Sequence, residues 1–168
     1  MIIMKDNEKE AIQCFFNAVE KLKECKIIRS ETYLGNIAEF IVKDTNGVDL
    51  ALSLRQEAYD GIYKTNKKVQ VKSHFGKYGT NILFKYDKNE VNFDDLIVIL
   101  GPHSNLKLIQ NHEFETYIFE DFKKWVSCGD SGINYNKTNK TVSFAKEVLK
   151  KNIEIGSVAK FKNQTRPL

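Results

Sequence analysis

Apolar and polar residues alternate along the first third of the chain with the period of an α-helix. Between residues 6 and 25, apolar side chains recur at the spacing of an amphipathic helix. A second stripe of the same period predicts a helix at 33–44, and the Asn46-Gly47 pair that follows is a typical helix stop. Each helix therefore has an apolar face that must pack against another element.

The pattern then changes to the alternation of β-strands. Residues 58–64 and 68–73 predict two strands around a polar turn, which together form a hairpin. Because successive side chains of a strand point to opposite faces, the valines of the second strand are expected in the core. Gln70 and Lys72 then emerge together from the other face, so the hairpin has one polar face.

Downstream, the clearest feature is the apolar run at 96–100, which together with Asp95 predicts a fully buried central strand at 95–100. The aromatic residues within 115–126 have helical spacing and are expected to pack in the core. The further expected elements are an edge neighbour of the central strand at 106–110, a helix at 115–126, a strand at 141–144, a helix at 144–149, and loops at 74–81, 134–141 and 157–168.

The order of these elements predicts a single α/β domain over residues 1–168. Its core is expected at about 30–130, as a mixed central sheet flanked by helices, with a loose tail at 157–168. The length of 168 residues and the hydrophobic fraction of 42% suit one ordinary globular core.

The net charge and the absence of several common motifs reduce the number of possible functions. The net charge of +4 is compatible with a polyanionic partner, and three cysteines without a C-x-x-C pair predict reduced thiols in the cytoplasm. The longest apolar run is too short to cross a bilayer, so no membrane partner is expected. The common motifs of nucleotide binding, serine hydrolysis and zinc proteolysis are missing, so no nucleotide cofactor is expected either.

One group of residues has the chemistry of phosphodiester hydrolysis. Asp60 lies on the first strand of the hairpin, which brings its carboxylate alongside Gln70 and Lys72. A carboxylate binds Mg²⁺, and the ion polarises a phosphate and lowers the pKa of an attacking water. A neighbouring lysine orients that water or stabilises charge on the phosphate.

The same residues carry a family resemblance. Asp60, followed after nine residues by Gln70-Val71-Lys72, resembles the Q-x-K variant of the PD-(D/E)XK nuclease motif. That superfamily commonly places a glutamate on a preceding helix, and Glu39 is the matching acid here. Over about residues 35–100 the chain is similar to small bacterial restriction-endonuclease-like proteins.

The resemblance implies a restriction-endonuclease-like core and an endonuclease that hydrolyses DNA with Mg²⁺, for which Mn²⁺ substitutes. It implies that Asp60, Gln70 and Glu39 bind the metal and that Lys72 is the catalytic lysine. Most members have an acid where this chain has Gln70, and an amide oxygen binds Mg²⁺ more weakly than a carboxylate. Glu57 is a further candidate carboxylate, three residues before Asp60.

Basic residues around the second strand predict a track for nucleic-acid phosphates. Its candidate members are Lys67, Lys68, His74 and Lys77, with aromatic residues between them. A normal solvated face is the alternative interpretation of the same residues.

Two other functions remain open from the sequence. Loss of an acid at Gln70 is also what a catalytically inactive nuclease-fold module would show, one that binds nucleic acid or a protein partner. An RNA-processing nuclease would use the same chemistry on another substrate. Because cleavage of a duplex needs two active sites or two visits, a two-fold homodimer is expected for the endonuclease.

Overall fold

A computed structural model describes residues 5–24, 34–51, 59–90, 93–109 and 112–154. Within these ranges the helices and strands form an α/β protein. In chain order they are α1 (Asp6–Glu24), α2 (Leu34–Asn46), β1 (Val48–Leu50), β2 (Gly61–Tyr63), β3 (Lys68–His74), β4 (Asn81–Lys85), β5 (Asp95–Leu100), β6 (Glu115–Phe119), α3 (Phe122–Ser127), β7 (Asn134–Asn136), β8 (Thr141–Ala145) and α4 (Lys146–Glu154).

A five-stranded mixed sheet forms the centre, with the strand order β1-β2-β3-β5-β6. Strands β3 and β5 run parallel, and the other neighbouring pairs are antiparallel. The hairpin predicted from 58–64 and 68–73 is confirmed as β2 and β3, although β2 covers only Gly61–Tyr63. The predicted central strand at 95–100 is β5, and every one of its residues is buried.

Helices α1 and α2 cover one face of this sheet. Their apolar stripes pack on side chains of β3 and β5, such as Val71 and Ile99, and Phe16 stacks on Phe75 with 5.3 Å between ring centroids. Both helices were expected from their spacing, and the mixed sheet flanked by helices is confirmed.

The opposite face packs on a second sheet that the sequence pattern did not predict. This sheet has the order β4-β8-β7 and is antiparallel throughout. Its inner side chains, among them Phe84 and Phe144, pack with Phe119 and Phe122 in a second core cluster. Buried core residues reach Leu149, so the packed core is wider than the predicted 30–130.

The helix predicted at 115–126 is wrong in its first half. Residues Glu115–Phe119 form β6, and α3 begins only at Phe122, after Asp121 turns the backbone into the left-handed region with φ of 49°. Strand β6 is buried along its whole length, so it lacks the alternation that marks a half-exposed strand. The aromatic residues nevertheless lie in the core, as expected.

The edge strand predicted at 106–110 is also wrong. The neighbours of β5 are β3 and β6, and within the described part of that segment, residues 106–109 form a turn and a bend. The bend is fixed by Glu115, whose carboxylate accepts hydrogen bonds from the backbone amides of Leu108 at 2.8 Å and Ile109 at 2.6 Å.

The predicted loops and the C-terminal elements need smaller corrections. The loop at 74–81 is shorter, because β3 continues to His74 and β4 begins at Asn81. The loop predicted at 134–141 is a tight hairpin in which β7 pairs with β8. The strand at 141–144 and the helix at 144–149 are confirmed as β8 and α4, with α4 starting at Lys146. The predicted tail at 157–168 lies outside the described residues.

Among the helices in the described ranges, none has both the length and the apolar character needed to cross a membrane.

Candidate active site

The candidate site lies on β3, just beyond the residues at which β2 pairs with it. Strand β2 begins at Gly61 and pairs only with Lys68 and Val69. Just before β2, the backbone amide of Asp60 donates to the Val69 carbonyl at 2.8 Å, and its carbonyl accepts from the amide of Ala51 at 2.9 Å. The backbone of Asp60 is therefore fixed at the end of the hairpin.

The glycine beside Asp60 is required by a close approach of two strands. A Cβ atom at Gly61 would lie 2.4 Å from a methyl carbon of Val48 and 2.8 Å from the carbonyl oxygen of Asp49. Any side chain here would push β1 away from β2, which would move the Asp60 backbone that both neighbours hold.

The Asp60 carboxylate takes the place of a strand partner for the next part of β3. Its Oδ2 accepts a hydrogen bond from the backbone amide of Val71 at 2.6 Å and a second, short one from the side-chain amide nitrogen of Gln70. Both donors contact Oδ2, and among the described residues none donates to Oδ1. The convergence of Asp60 with the Gln70 face, expected from the hairpin, is present.

Glu39 on α2 is close enough to Asp60 and Lys72 to interact electrostatically with both. Burial raises the pKa of the Glu39 carboxyl, and the negative charge of Asp60 raises it further, whereas Lys72 opposes both effects. The three charged groups are therefore within electrostatic reach of one another. Helix α2 buries its neighbour Ala38 in the core, which fixes where Glu39 leaves the helix.

Lys72 and Asp60 are perturbed in opposite senses by the same burial. Burial lowers the pKa of the Lys72 ammonium, while Asp60 and Glu39 partly restore it. Burial raises the pKa of Asp60 against the hydrogen bond from Val71 and the charge of Lys72. The Lys72 Nζ lies 5.4 Å from the ring centroid of Phe84, so an aromatic ring of the second sheet forms one wall of the site.

The oxygen atoms gathered here suit a hard divalent cation. They comprise two half-buried carboxylates and the main-chain carbonyl of Val71, which lies on the same strand edge as its amide and accepts from the Gln70 side-chain nitrogen at 3.5 Å. Oxygen ligands of this kind are those that Mg²⁺ prefers. With only two acids, this set differs from a cluster of three or more His, Cys, Asp or Glu side chains, and the described residues contain no such cluster. The donor chemistry therefore fits Mg²⁺, with one neutral ligand in place of an acid.

The predicted phosphate track is divided between the two ends of β3. Lys67 pairs with the buried Asp95 at 3.5 Å, and the Lys68 Nζ lies 5.1 Å from the ring centroid of Tyr59. Lys68 and His74 are six residues apart in one strand, which corresponds to about 20 Å. The structure does not bring the four predicted residues together.

At the other end of β3, the two remaining candidates have contacts of their own. The His74 Nδ1 lies 2.8 Å from the hydroxyl of Ser104, and Lys77 pairs with Glu20 of α1 at 3.5 Å. These contacts tie the loop after β3 to α1 and to the turn after β5. The candidate acid Glu57 lies outside the described residues.

Two contributors to the site were not found from the sequence. Val71 acts through its backbone, so no side-chain motif marks it, although its place between Gln70 and Lys72 was a usable signal. Phe84 lies on β4, whose alternation of exposed and buried residues was the signal for a strand beside the site.

Comparison with known proteins gives one partial similarity. No family model matches the chain. The chain is 33% identical over 90 residues to DNA topoisomerase 3 of Dictyostelium discoideum. The match covers 54% of this chain and spans 10% of the length of that much larger protein.

Proposed function

We propose that this protein is a Mg²⁺-dependent endonuclease that hydrolyses DNA phosphodiester bonds and belongs with the restriction-endonuclease-like PD-(D/E)XK proteins. The observation that carries the proposal is the meeting of Glu39, Asp60, Gln70 and Lys72 at the open edge of β3. Partial similarity to a protein named DNA topoisomerase 3 supports DNA as the substrate.

The metal ligands in this proposal are the two carboxylates and the Val71 carbonyl. Gln70, which the sequence predicts as a ligand, directs its side-chain nitrogen to Asp60 and holds that carboxylate in place. Asp60 is oriented for this role because Val71 and Gln70 both hold Oδ2, which leaves Oδ1 directed away from those donors. When bound, Mg²⁺ polarises the scissile phosphate and lowers the pKa of the attacking water. Mn²⁺ is expected to replace it.

Lys72 is the positively charged side chain that the protein itself contributes to the site. Burial lowers the pKa of its ammonium, the nearby carboxylates oppose that effect, and the Phe84 ring lies beside its Nζ. A cation held in a poorly solvated place stabilises the negative charge that grows on the phosphate during hydrolysis. It also holds the attacking water in position by donating a hydrogen bond to it. Because each strand of a duplex needs its own cut, the proposal includes a two-fold homodimer.

A second candidate is a non-catalytic module that binds nucleic acid or a protein partner. The observation in its favour is Gln70, whose side-chain nitrogen donates to Asp60 where most family members would present a further carboxylate. A site with fewer charged ligands holds Mg²⁺ less firmly, so binding could outlast cleavage.

Cleavage of supercoiled plasmid tests the proposal directly. Wild type, Lys72→Ala and Lys21→Ala would be compared in Mg²⁺, in Mn²⁺ and in EDTA; Lys21 is an exposed lysine of α1 and serves as the matched control. We expect nicked or linear product that requires metal, is lost in Lys72→Ala and persists in Lys21→Ala. Plasmid left intact in both metals while DNA is still bound would favour the non-catalytic module instead.

A further inference from the structure

The second sheet has an outer face that no other described element covers. Alternation in its strands puts one set of side chains into the core and the other set outside. The outer set forms two rows across the sheet, and we call it the outer sheet face. Its members are Lys85, Thr141 and Asn136 in one row and Leu83, Ser143 and Asn134 in the other.

The chemistry of the outer sheet face fits a polyanion. Two amides, two hydroxyls and one ammonium are present among its six side chains, and none of the six is acidic. An open depression of about 540 Å³ lies over β7 and β8, lined by four of these residues together with Tyr135 and Lys137. Uncharged hydrogen-bonding groups and lysines are the groups that contact phosphates and sugars.

Further lysines surround this face. Residues 81–90 and 133–145 contain four lysines and two acids, and one of the acids, Asp87, is paired with Lys140. The Lys85 Nζ donates to the Asn139 carbonyl at 3.0 Å, and the Lys88 Nζ lies 4.7 Å from the Tyr135 ring centroid. The positive charge is thus held on the rim of the sheet.

The same features argue against two other occupants. A protein partner would need buried aromatic or apolar anchors, and Leu83, which is 66% exposed, is the single apolar member of the face. Single-stranded nucleic acid is bound by stacking on exposed aromatic rings. Tyr135, the aromatic residue that lines the depression, packs its ring against the core, and the Lys88 Nζ lies 4.7 Å from the ring centroid.

The position of β4 links this face to the candidate active site. Phe84 points inward, beneath Lys72, while Leu83 and Lys85 on either side of it point outward. Strand β4 is an edge strand of its sheet, so a duplex crossing that edge would contact both sides.

We infer that the outer sheet face binds the phosphate backbone of duplex DNA beside the active site. The inference rests on the proposed function for its choice of DNA, and it adds a second contact surface for that substrate. Each lysine that neutralises a phosphate releases counterions, so binding here must depend on salt.

Fluorescence anisotropy with a short labelled DNA duplex in EDTA measures this binding without cleavage. The dissociation constant of Lys85→Ala/Lys137→Ala would be followed over rising NaCl and compared with wild type. We expect the slope of log affinity against log salt to fall by about 2, about 1 for each lysine. Lys85→Arg/Lys137→Arg, which keeps both charges, should keep the wild-type slope.

The matched control removes two exposed lysines from the opposite side of the molecule, as Lys5→Ala/Lys21→Ala. An equal loss of slope in this control, an unchanged slope in the outer-face variant, or no binding of duplex by wild type would overturn the inference. Equal melting temperatures of the variants would show that folding is not responsible.

Failure of this inference is distinguishable from failure of the proposed function. If wild type left the plasmid intact and Lys85→Ala/Lys137→Ala had a reduced salt slope, the proposed nuclease activity would be refuted and DNA binding by the outer sheet face would be supported. If wild type cleaved the plasmid with metal and the salt slope of Lys85→Ala/Lys137→Ala were unchanged, DNA binding by the outer sheet face would be refuted and the nuclease activity would remain supported.

Discussion

Asp60 and Glu115 both have carboxylates that are shielded from solvent and lie at the start of a strand. The surroundings of the two carboxylates differ. Glu115 is fully buried, and its two oxygens accept from the amides of Leu108 and Ile109 and from the hydroxyl of Tyr117 at 2.6 Å. Asp60 is half-buried, and both of its donors contact a single oxygen.

The difference separates a carboxylate that holds the fold from one that is set out for a ligand. Donors surround Glu115 on both oxygens, so its charge is used within the chain. Beside Asp60, burial and then the negative charge of Asp60 raise the pKa of the Glu39 carboxyl, and a bound cation would oppose both effects. Burial alone would therefore not identify the site; the distribution of donors does.

The largest effect is expected from removing the Asp60 charge. In Asp60→Asn the remaining carbonyl oxygen still accepts from Val71, so the hairpin should fold normally. Cleavage should fall about a thousandfold, because a metal ligand and its charge are lost. Initial cleavage rates and melting temperatures check this, and a rate close to wild type would contradict the assignment of Asp60.

Glu115→Gln should show the opposite pattern. One amide hydrogen would face the backbone amide of Leu108 or Ile109, which leaves a buried donor without an acceptor. Urea unfolding should report a loss of about 2–3 kcal/mol, while the cleavage rate per folded molecule stays unchanged. A selective loss of cleavage would remove the distinction between the two carboxylates.

Gln70→Glu gives the site the acid that the PD-(D/E)XK motif usually has at this position. A third carboxylate should tighten Mg²⁺ binding about tenfold, measured by calorimetry. Without metal the same change should lower the melting temperature, because it removes the donor to Asp60 and adds a like charge. Gln13→Glu on α1 adds the same charge elsewhere and should leave Mg²⁺ binding unchanged.

The smallest effect concerns Glu39 and pH. A carboxyl with a raised folded-state pKa binds protons more readily when folded, so its charge destabilises the fold above that pKa. In EDTA at neutral pH, Glu39→Gln should therefore melt about 2 °C higher than wild type. The difference should disappear as the pH falls below the ordinary value of 4.5, where Glu39 is protonated in both states. A lower melting temperature at neutral pH would contradict the pKa direction.

The hairpin and its polar face were predictable because strand alternation is a local rule. Gln70 and Lys72 share a face for that reason alone, and the turn sets Asp60 beside them. The approach of Glu39 depended on a family resemblance, since nothing local states where a helix residue meets a strand.

The second sheet was not predictable to the same degree. Strand β7 is polar because its outer residues are exposed, so it has the composition of a loop. Strand β6 is buried throughout, and its aromatic residues continue in register into α3, which imitates one helix. The pairing of β6 with β5 and of β7 with β8 decides their conformation, and residue composition does not indicate that pairing.

The strand order of the second sheet also determines when β4 can pair with its partner as the chain is synthesised. Strand β4 pairs with β8, so residues 81–85 must wait for residues 141–145 before they have a partner. Until the ribosome has produced that segment, the crossover from β3 to β5 includes an unpaired strand with alternating apolar side chains. Pairing over such a separation slows folding, and the exposed strand is open to association with other chains. The wall of the candidate site at Phe84 is thus completed late, after the residues that it adjoins.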